Sequence, residues 1–142
     1  MALSNVDAAY LAGLVDGEGH IGIRWKHNSY TDKWICVPGF GVASTDLAVL
    51  LWCRGITGVG NVRRSSVSNP LSQKPGFAWI VGKRLDILWV LQQIVWYMHI
   101  KRDVAHLMIE ELESYQGPQL QPGYNTAVRR QVHGPRYGQT RV

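Results

Sequence analysis

Apolar and polar positions along the chain switch between the periods of a helix and of a strand, and the switches divide it into eight elements. Leu11, Leu14 and Val15 recur at i, i+3, i+4, which predicts a first helix with a buried stripe. Ser4 followed by Asp7 is a capping-box-like start for it, and Gly17 and Gly19 suit a sharp exit. Ala9, Ala12 and Gly13 make an adjoining face of small side chains, along which a second helix can approach closely. Residues 20–26 then alternate, with Ile21, Ile23 and Trp25 on one side and His20, Gly22, Arg24 and Lys26 on the other, the pattern of a half-buried strand.

Residues 27–33 are rich in turn formers and are expected as a loop. Residues 34–44 resume as a second strand, whose Pro38-Gly39 pair predicts a bulge or register break. Thr45 or Asp46 caps a second helix that is expected to stop near Gly55. Strands over 58–66 and 77–82 flank a Pro/Gly/Ser loop. Residues 84–98 and 101–115 read as two more helices, the second with Val104, Leu107, Met108 and Leu112 on one face. The predicted fold is α+β: αββαββαα, an antiparallel four-stranded sheet covered by helices on one face and open on the other.

Composition narrows the partner. The chain has 142 residues, 46% of them hydrophobic and 18% charged, enough for one globular domain with a core. Its net charge of +5 favours a polyanion, though an acidic protein or a membrane surface would fit the total as well. Distribution says more: between His20 and Arg84 lie nine Lys or Arg against two acids, Asp32 and Asp46. Arg24 and Lys26 fall on the open face of the first strand, and a two-stranded ribbon with such side chains fits the major groove of DNA. Cys36 and Cys53 lack CxxC or His partners at zinc spacing, so free buried thiols in a reducing compartment are expected. The N-terminus lacks a basic region followed by an apolar one, so an intracellular, unsecreted protein is expected. The apolar run from Ile87 to Ile100 is too short to span a bilayer, and no membrane partner is expected.

Residues 11–19, LAGLVDGEG, carry the chemistry. If the first helix met its symmetry mate along the small face, the two copies of Glu18 would converge at its foot, and paired carboxylates in a polar cleft suit hard divalent cations. The competing reading is a helix end with a solvated glutamate. Six positions (Leu11, Ala12, Gly13, Leu14, Asp16 and Gly19) match the LAGLIDADG signature, and the chain resembles the LAGLIDADG homing endonucleases of the single-motif, homodimeric type. The resemblance runs from about Val6 to about Tyr115. It is supported by residues 58–64, GVGNVRR, similar to the glycine turn and basic third strand of the family, and by residues 99–112, where Lys101 opens the last helix.

The resemblance implies a site-specific double-strand DNA endonuclease that cuts a long pseudo-palindromic site as a homodimer, with intron or intein homing as its biology. Metal-dependent phosphodiester hydrolysis would use Mg²⁺, with Mn²⁺ or Ca²⁺ substituting for binding. It implies metal ligation by Glu18 and the Gly17 carbonyl, and catalytic roles for Glu18, Lys101 and Ser44, the last standing where relatives place a longer polar side chain. DNA contacts are expected from His20, Arg24, Lys26, Trp34, Asn61, Arg63, Arg64, Ser65 and Lys83, and a dimer interface from Ala9, Ala12, Gly13 and Asp16. Surface or structural roles for His20 and Lys101 stay open beside these. Double-stranded DNA and a second copy are the expected partners, with no small-molecule substrate. Glu at position 18 replaces the family's Asp, lengthening the reach by one methylene.

Residues 1–115 are expected to form the endonuclease domain. Residues 116–142 form a basic Gly/Pro-rich tail in which Arg129 and Arg130 are candidate DNA contacts, unless the tail is simply disordered. The alternative function is a non-cleaving nucleic-acid-binding relative, an intron maturase or regulator, against which the intact acid at position 18 argues. An interaction domain that binds no nucleic acid is the other alternative.

Overall fold

A computed structural model describes residues 2–65 and 75–119 of the chain. Along it run α1 (Asn5–Glu18), β1 (Gly19–Asn28), β2 (Lys33–Ser44), α2 (Leu47–Thr57), β3 (Asn61–Arg64), β4 (Phe77–Val81), α3 (Arg84–Ile94), a 3₁₀ turn (Val95–Tyr97) and α4 (Arg102–Ser114). The four strands form one antiparallel sheet in the order β1-β2-β4-β3. This is the expected α+β layout.

Parity along the strands separates the two faces. Ile21 and Ile23 of β1, Cys36, Phe40 and Val42 of β2 and Trp79 and Val81 of β4 point into a core completed by Leu11 and Val15, Leu50, Ile87, Leu91 and Met108 from the helices. Phe40 and Trp79 meet edge to face, their centroids 5.6 Å apart, at its centre. The Trp79 indole donates to the carbonyl of Val59 (2.9 Å), so the one polar atom of that buried ring is satisfied. Gly60 sits at φ 82°, and a Cβ there would lie 2.7 Å from the same indole nitrogen, so the turn into β3 requires glycine.

Several boundaries differ from the sequence reading for local reasons. The predicted loop over 27–33 shrinks to Ser29–Asp32, because β1 and β2 pair continuously from Gly19↔Val42 to Asn28↔Lys33. Asp32 takes φ 54°, and Asn28 Oδ1 accepts the N–H of Tyr30 (2.9 Å), which closes the turn. The register runs unbroken through Pro38, which pairs with Ile23, so the expected bulge is absent. Pairing of β2 with β4 begins only at Phe40, so Pro38 occupies a stretch where β4 does not flank β2, and its missing N–H is tolerated there.

Ser4 Oγ accepts the N–H of Asp7 (3.1 Å) as the capping reading expected, and of the two candidate caps for α2 it is Asp46 whose side chain accepts from Val49. α2 runs past Gly55 to Thr57, and the left-handed residue that ends it is Gly58, at φ 71°. The predicted helix over 84–98 gives way to the 3₁₀ turn after Ile94, and the third strand is limited to Asn61–Arg64. Cys36 and Cys53 are buried free thiols, and burial pushes both pKa values up, that of Cys53 to about 11. Among the described residues no helix is long and apolar enough to cross a membrane.

The close approach of β2 and β4 depends on Gly41, where a Cβ would come within 2.7 Å of the Trp79 carbonyl oxygen. Gly41→Ala is therefore expected to cost about 1–3 kcal/mol in urea unfolding. Gly82→Ala, where nothing lies within 4 Å of the new carbon, is expected to be close to neutral. Equal midpoints for the two variants would contradict this account of the sheet.

Candidate nucleic-acid interface and catalytic centre

The foot of α1 is built by a reciprocal lock with the turn that precedes α4. A helix C-terminus leaves its last carbonyls without intrahelical partners. Here Lys101 Nζ donates to the carbonyls of Val15 (3.2 Å) and Asp16 (2.7 Å), and the Gly19 N–H also reaches Val15 O. In return the Asp16 carboxylate accepts the backbone N–H groups of His99 (2.7 Å) and Lys101 (2.9 Å). Asp16 is buried. Burial raises its pKa, but the N–H donors of His99, Lys101 and Ile100, together with the Lys101 charge, outweigh that and hold it below the ordinary carboxylate range.

Glu18 stands one turn-end beyond this lock, exposed, and among the described residues its carboxylate has no hydrogen-bond or ion-pair partner. No group of three or more His, Cys, Asp or Glu suited to a metal exists among the described residues. A single chain thus offers one free carboxylate and the neighbouring Gly17 backbone. These are hard oxygen donors of the kind Mg²⁺ and Ca²⁺ take, but too few for either ion without further ligands.

The outward side of α1 departs in part from the expected interface. Ala9 and Gly13 are exposed, and a Cβ at Gly13 or Gly17 would meet nothing within 4 Å. Ala12, however, has no exposure and packs in the core beside Ala8 and Leu11, and Asp16 is committed to the lock, so neither can form a partner-facing surface. At 100° per residue the exposed line instead runs through Val6, Tyr10, Gly13 and Gly17. Val6 is 78% and Tyr10 59% exposed, so α1 is apolar on the side facing solvent as well as on the side facing the core. The i, i+4, i+7 spacing of Val6, Tyr10 and Gly13 is the sequence signal of this stripe, and the small residues Ala9 and Ala12 beside it mask it.

Register sorts the predicted DNA contacts into two groups. His20, Arg24 and Lys26 of β1 and Asn61 and Arg63 of β3 share the face away from the helices, and all five are exposed. Asn28 and Lys33, expected in a loop, instead pair and extend that face to the hairpin, where Tyr30 at the tip is 99% exposed. Trp34 and Arg64 have the opposite parity, on the helix side. Trp34 lies against His27 with centroids 5.0 Å apart and pairs its backbone with Gln119, so it is a sheet-edge residue rather than an open stacking platform.

Ser44 also lies on the helix-side parity, at the end of β2 nearest the foot of α1, and its Oγ accepts the N–H of Asp46 (3.0 Å) to shape the entry to α2. Ser65 follows β3 and donates its N–H to Gly76 O (2.9 Å). Lys83 is exposed at the start of α3. Arg129 and Arg130 lie outside the described residues. Residues 116–119 return to the sheet, where Gln119 pairs with Trp34.

No family model and no curated protein matches the chain. Solved structures do. The homing endonuclease I-CvuI, in complex with the I-CreI target, superposes with TM-score 0.64 at 23% identity over 76% of this chain and 66% of that one. The archaeal intron-encoded homing endonuclease I-Vdi141I complexed with DNA gives 0.64 at 15% identity, over 77% and 68%. The LAGLIDADG homing endonuclease I-SmaMI bound to cleaved DNA gives 0.64 at 21%, over 80% of this chain but 38% of its own. This chain therefore spans about two thirds of the length of I-CvuI and well under half of I-SmaMI.

Replacing Asp16 by Asn removes the charge that three backbone N–H groups converge on, and is expected to cost about 1–3 kcal/mol at neutral pH. Because the folded pKa lies below the unfolded one, this contribution is complete above the ordinary carboxylate pKa and is lost as pH falls through the folded value. The gap between wild type and Asp16→Asn in urea unfolding should hold from pH 7 to about 5 and close below about 4. A gap that widens on acidification would contradict the lock. With the helix foot, the basic sheet face and these superpositions in view, the chain has the fold of the LAGLIDADG homing endonucleases.

Proposed function

We propose that the chain is a LAGLIDADG endonuclease that acts on double-stranded DNA as a homodimer, and that Glu18 is its metal-ligating acid. The observation that carries the reading is the position of Glu18: an unpartnered carboxylate at the end of a helix whose outer side is an apolar stripe of Val6, Tyr10, Gly13 and Gly17. Such a stripe favours burial against another surface. A second α1 laid along it would bring two copies of Glu18 together, which supplies the ligands that one chain lacks. The solved structures with this fold include complexes with DNA in the presence of Mg or Ca, which supports the same reading.

Each residue then has a task that follows from its surroundings. The two Glu18 carboxylates and the Gly17 carbonyls would hold divalent cations against the scissile phosphates. A cation bound there would supply Lewis acidity and would make a bound water more acidic. Lys101 fixes the helix foot through two of its three N–H donors, and its charge would stabilise negative charge building on a phosphate held near Glu18. Asp16 keeps Lys101 in place and touches no substrate. His20, Arg24, Lys26, Asn61 and Arg63 bind the duplex through the open sheet face. Ser44 accepts the Asp46 N–H with its hydroxyl and so is engaged in shaping the entry to α2.

Glu18→Gln keeps the shape and removes the anionic ligand. With a duplex selected from a randomised library, the wild-type chain should cut both strands with Mg²⁺ and stop on addition of EDTA. The variant should lose at least about 100-fold in rate while its affinity stays within a few-fold. Binding should weaken steeply with salt, because several phosphate contacts release counterions. Binding without cutting by the wild type would instead favour a non-cleaving nucleic-acid-binding relative, and absence of salt-dependent binding would overturn the DNA reading.

A further inference from the structure

α3 is apolar on both of its sides. Ile87, Val90, Leu91 and Ile94 are buried in the core. On the outer side Leu85, Trp89 and Gln92 follow one another at spacings of four and three residues, a single line along a helix, and Trp96 continues it in the 3₁₀ turn. Leu85 is 75% and Trp96 71% exposed, and Trp89 is half-buried beside a cleft of about 340 Å³ that Ile56 and Thr57 of α2 help to line. Single apolar residues are ordinary at a surface, but a leucine and two tryptophans in line form a patch that favours being covered.

Carboxylates edge this line. α4 lies alongside, with Gln92 Nε2 donating to Glu113 (3.1 Å) and Trp96 against His106, centroids 5.3 Å apart. Glu110 and Glu113 are exposed near the C-terminal end of α4, whose last turn carries no base, so the negative end of the helix dipole disfavours both. Asp86 adds a carboxylate in the first turn of α3. The nearest cations stand at the two ends, Lys83 before the helix and Arg102, which donates to the carbonyl of Trp96 (3.0 Å). Such a surface fits a segment in which apolar residues and cations are interleaved.

The chain supplies that segment. Residues 120–142 carry Arg129, Arg130, Arg136 and Arg141 and no acid, and Tyr124, Val128 and Val132 recur at every fourth position around the first two arginines. Their root lies close to the start of the apolar line. Gln119 pairs with Trp34, two residues along β2 from Cys36, whose carbonyl accepts from Arg84 Nη2 (2.7 Å). Arg84 also holds Tyr115, its Cζ 3.8 Å from the ring centroid, and Leu85 is the next residue. The rise from Leu85 to Trp96 is about 16 Å, which roughly five extended residues cover, so residues 120–142 have ample length.

We propose that residues 120–142 dock on the outer side of α3, with the stretch from Tyr124 to Val132 against Leu85, Trp89 and Trp96 and its arginines toward Glu110 and Glu113. Docking needs no DNA, and it holds Arg129 and Arg130 on the helix side of the molecule, away from the open sheet face.

The test uses the full chain without DNA. Trypsin cleavage after Arg129 and Arg130, followed by mass spectrometry, reads the undocked fraction when docking exchanges faster than cutting. Leu85→Ser/Trp96→Ser and, separately, Glu110→Lys/Glu113→Lys should each speed that cleavage about tenfold over wild type. Leu51→Ser, at an exposed leucine of α2, should leave it unchanged. Circular dichroism and the urea midpoint check that each variant is folded. As a second measurement, Leu85→Cys is combined in turn with Tyr124→Cys, Val128→Cys or Val132→Cys. At least one pair should close an intramolecular disulfide on mild oxidation in higher yield than Leu51→Cys with the same partners, since the native thiols are buried.

Equal cleavage rates in wild type and both double variants overturn the docking, and so does the absence of a disulfide in every pair. Protection that appears only at high protein concentration would put a second copy on α3, and protection that appears only with duplex would put the tail on DNA; either result overturns it as well. None of these outcomes bears on cutting by Glu18, which is read separately.

Discussion

The fold and the candidate site both depend on one ionic exchange at the foot of the first helix. Asp16 enters the protein as a charged group, and the backbone N–H groups of residues 99–101 stabilise that charge in place of water. Lys101 answers by closing the carbonyls at the end of α1. Two segments more than 80 residues apart in sequence are thereby fixed to each other at a helix end whose dipole favours a cation. Glu18 lies two residues beyond Asp16, so the geometry of the proposed metal site is inherited from this exchange rather than created by Glu18 itself.

Above that foot the chain presents two distinct surfaces, one cationic and one apolar. The sheet turns its apolar parity to the helices and its cationic parity outward, and a continuous register carries that division from the end of α1 to Tyr30 at the hairpin tip. The outer side of α1 is apolar and, among the described residues, is covered only where Tyr10 meets the Trp52 ring edge to face, centroids 5.0 Å apart. A helix with both sides apolar is unfavourable at a surface unless something covers it. The two surfaces meet at Glu18, and in the proposed function that one residue would serve both a second protein chain and a duplex.

Much of this was legible in the sequence. Alternation over residues 20–26 gave the two faces of β1 correctly, and Ser4 with Asp7 gave the helix start. The nonapeptide marked Glu18. What the sequence withheld depended on long-range partners. Asp16 reads as one more polar residue of a motif until His99 and Lys101 are brought to it. Ala12 and Ala9 are alike in chemistry, and only the rotation of α1 against the core buries one and exposes the other. Pro38 and Gly39 carry a strong local signal for a bulge, yet the absence of β4 beside Pro38 removes the need for one. The expected second strand, 34–44, differs from Lys33–Ser44 by one residue, but the facing of Trp34, Ser44 and Arg64 is set by cross-strand register, which local pattern does not carry.

The central claim is that α1 meets a second α1 along its solvent side. A cysteine introduced at Gly13, where space is open, tests it directly, because the two native thiols are buried and cannot compete. On mild oxidation in the presence of bound duplex, Gly13→Cys should form a disulfide-linked dimer in high yield, as residues facing each other across a close helix pair do. Cross-linking no greater than that of Gly82→Cys, an exposed position away from α1, would contradict the account.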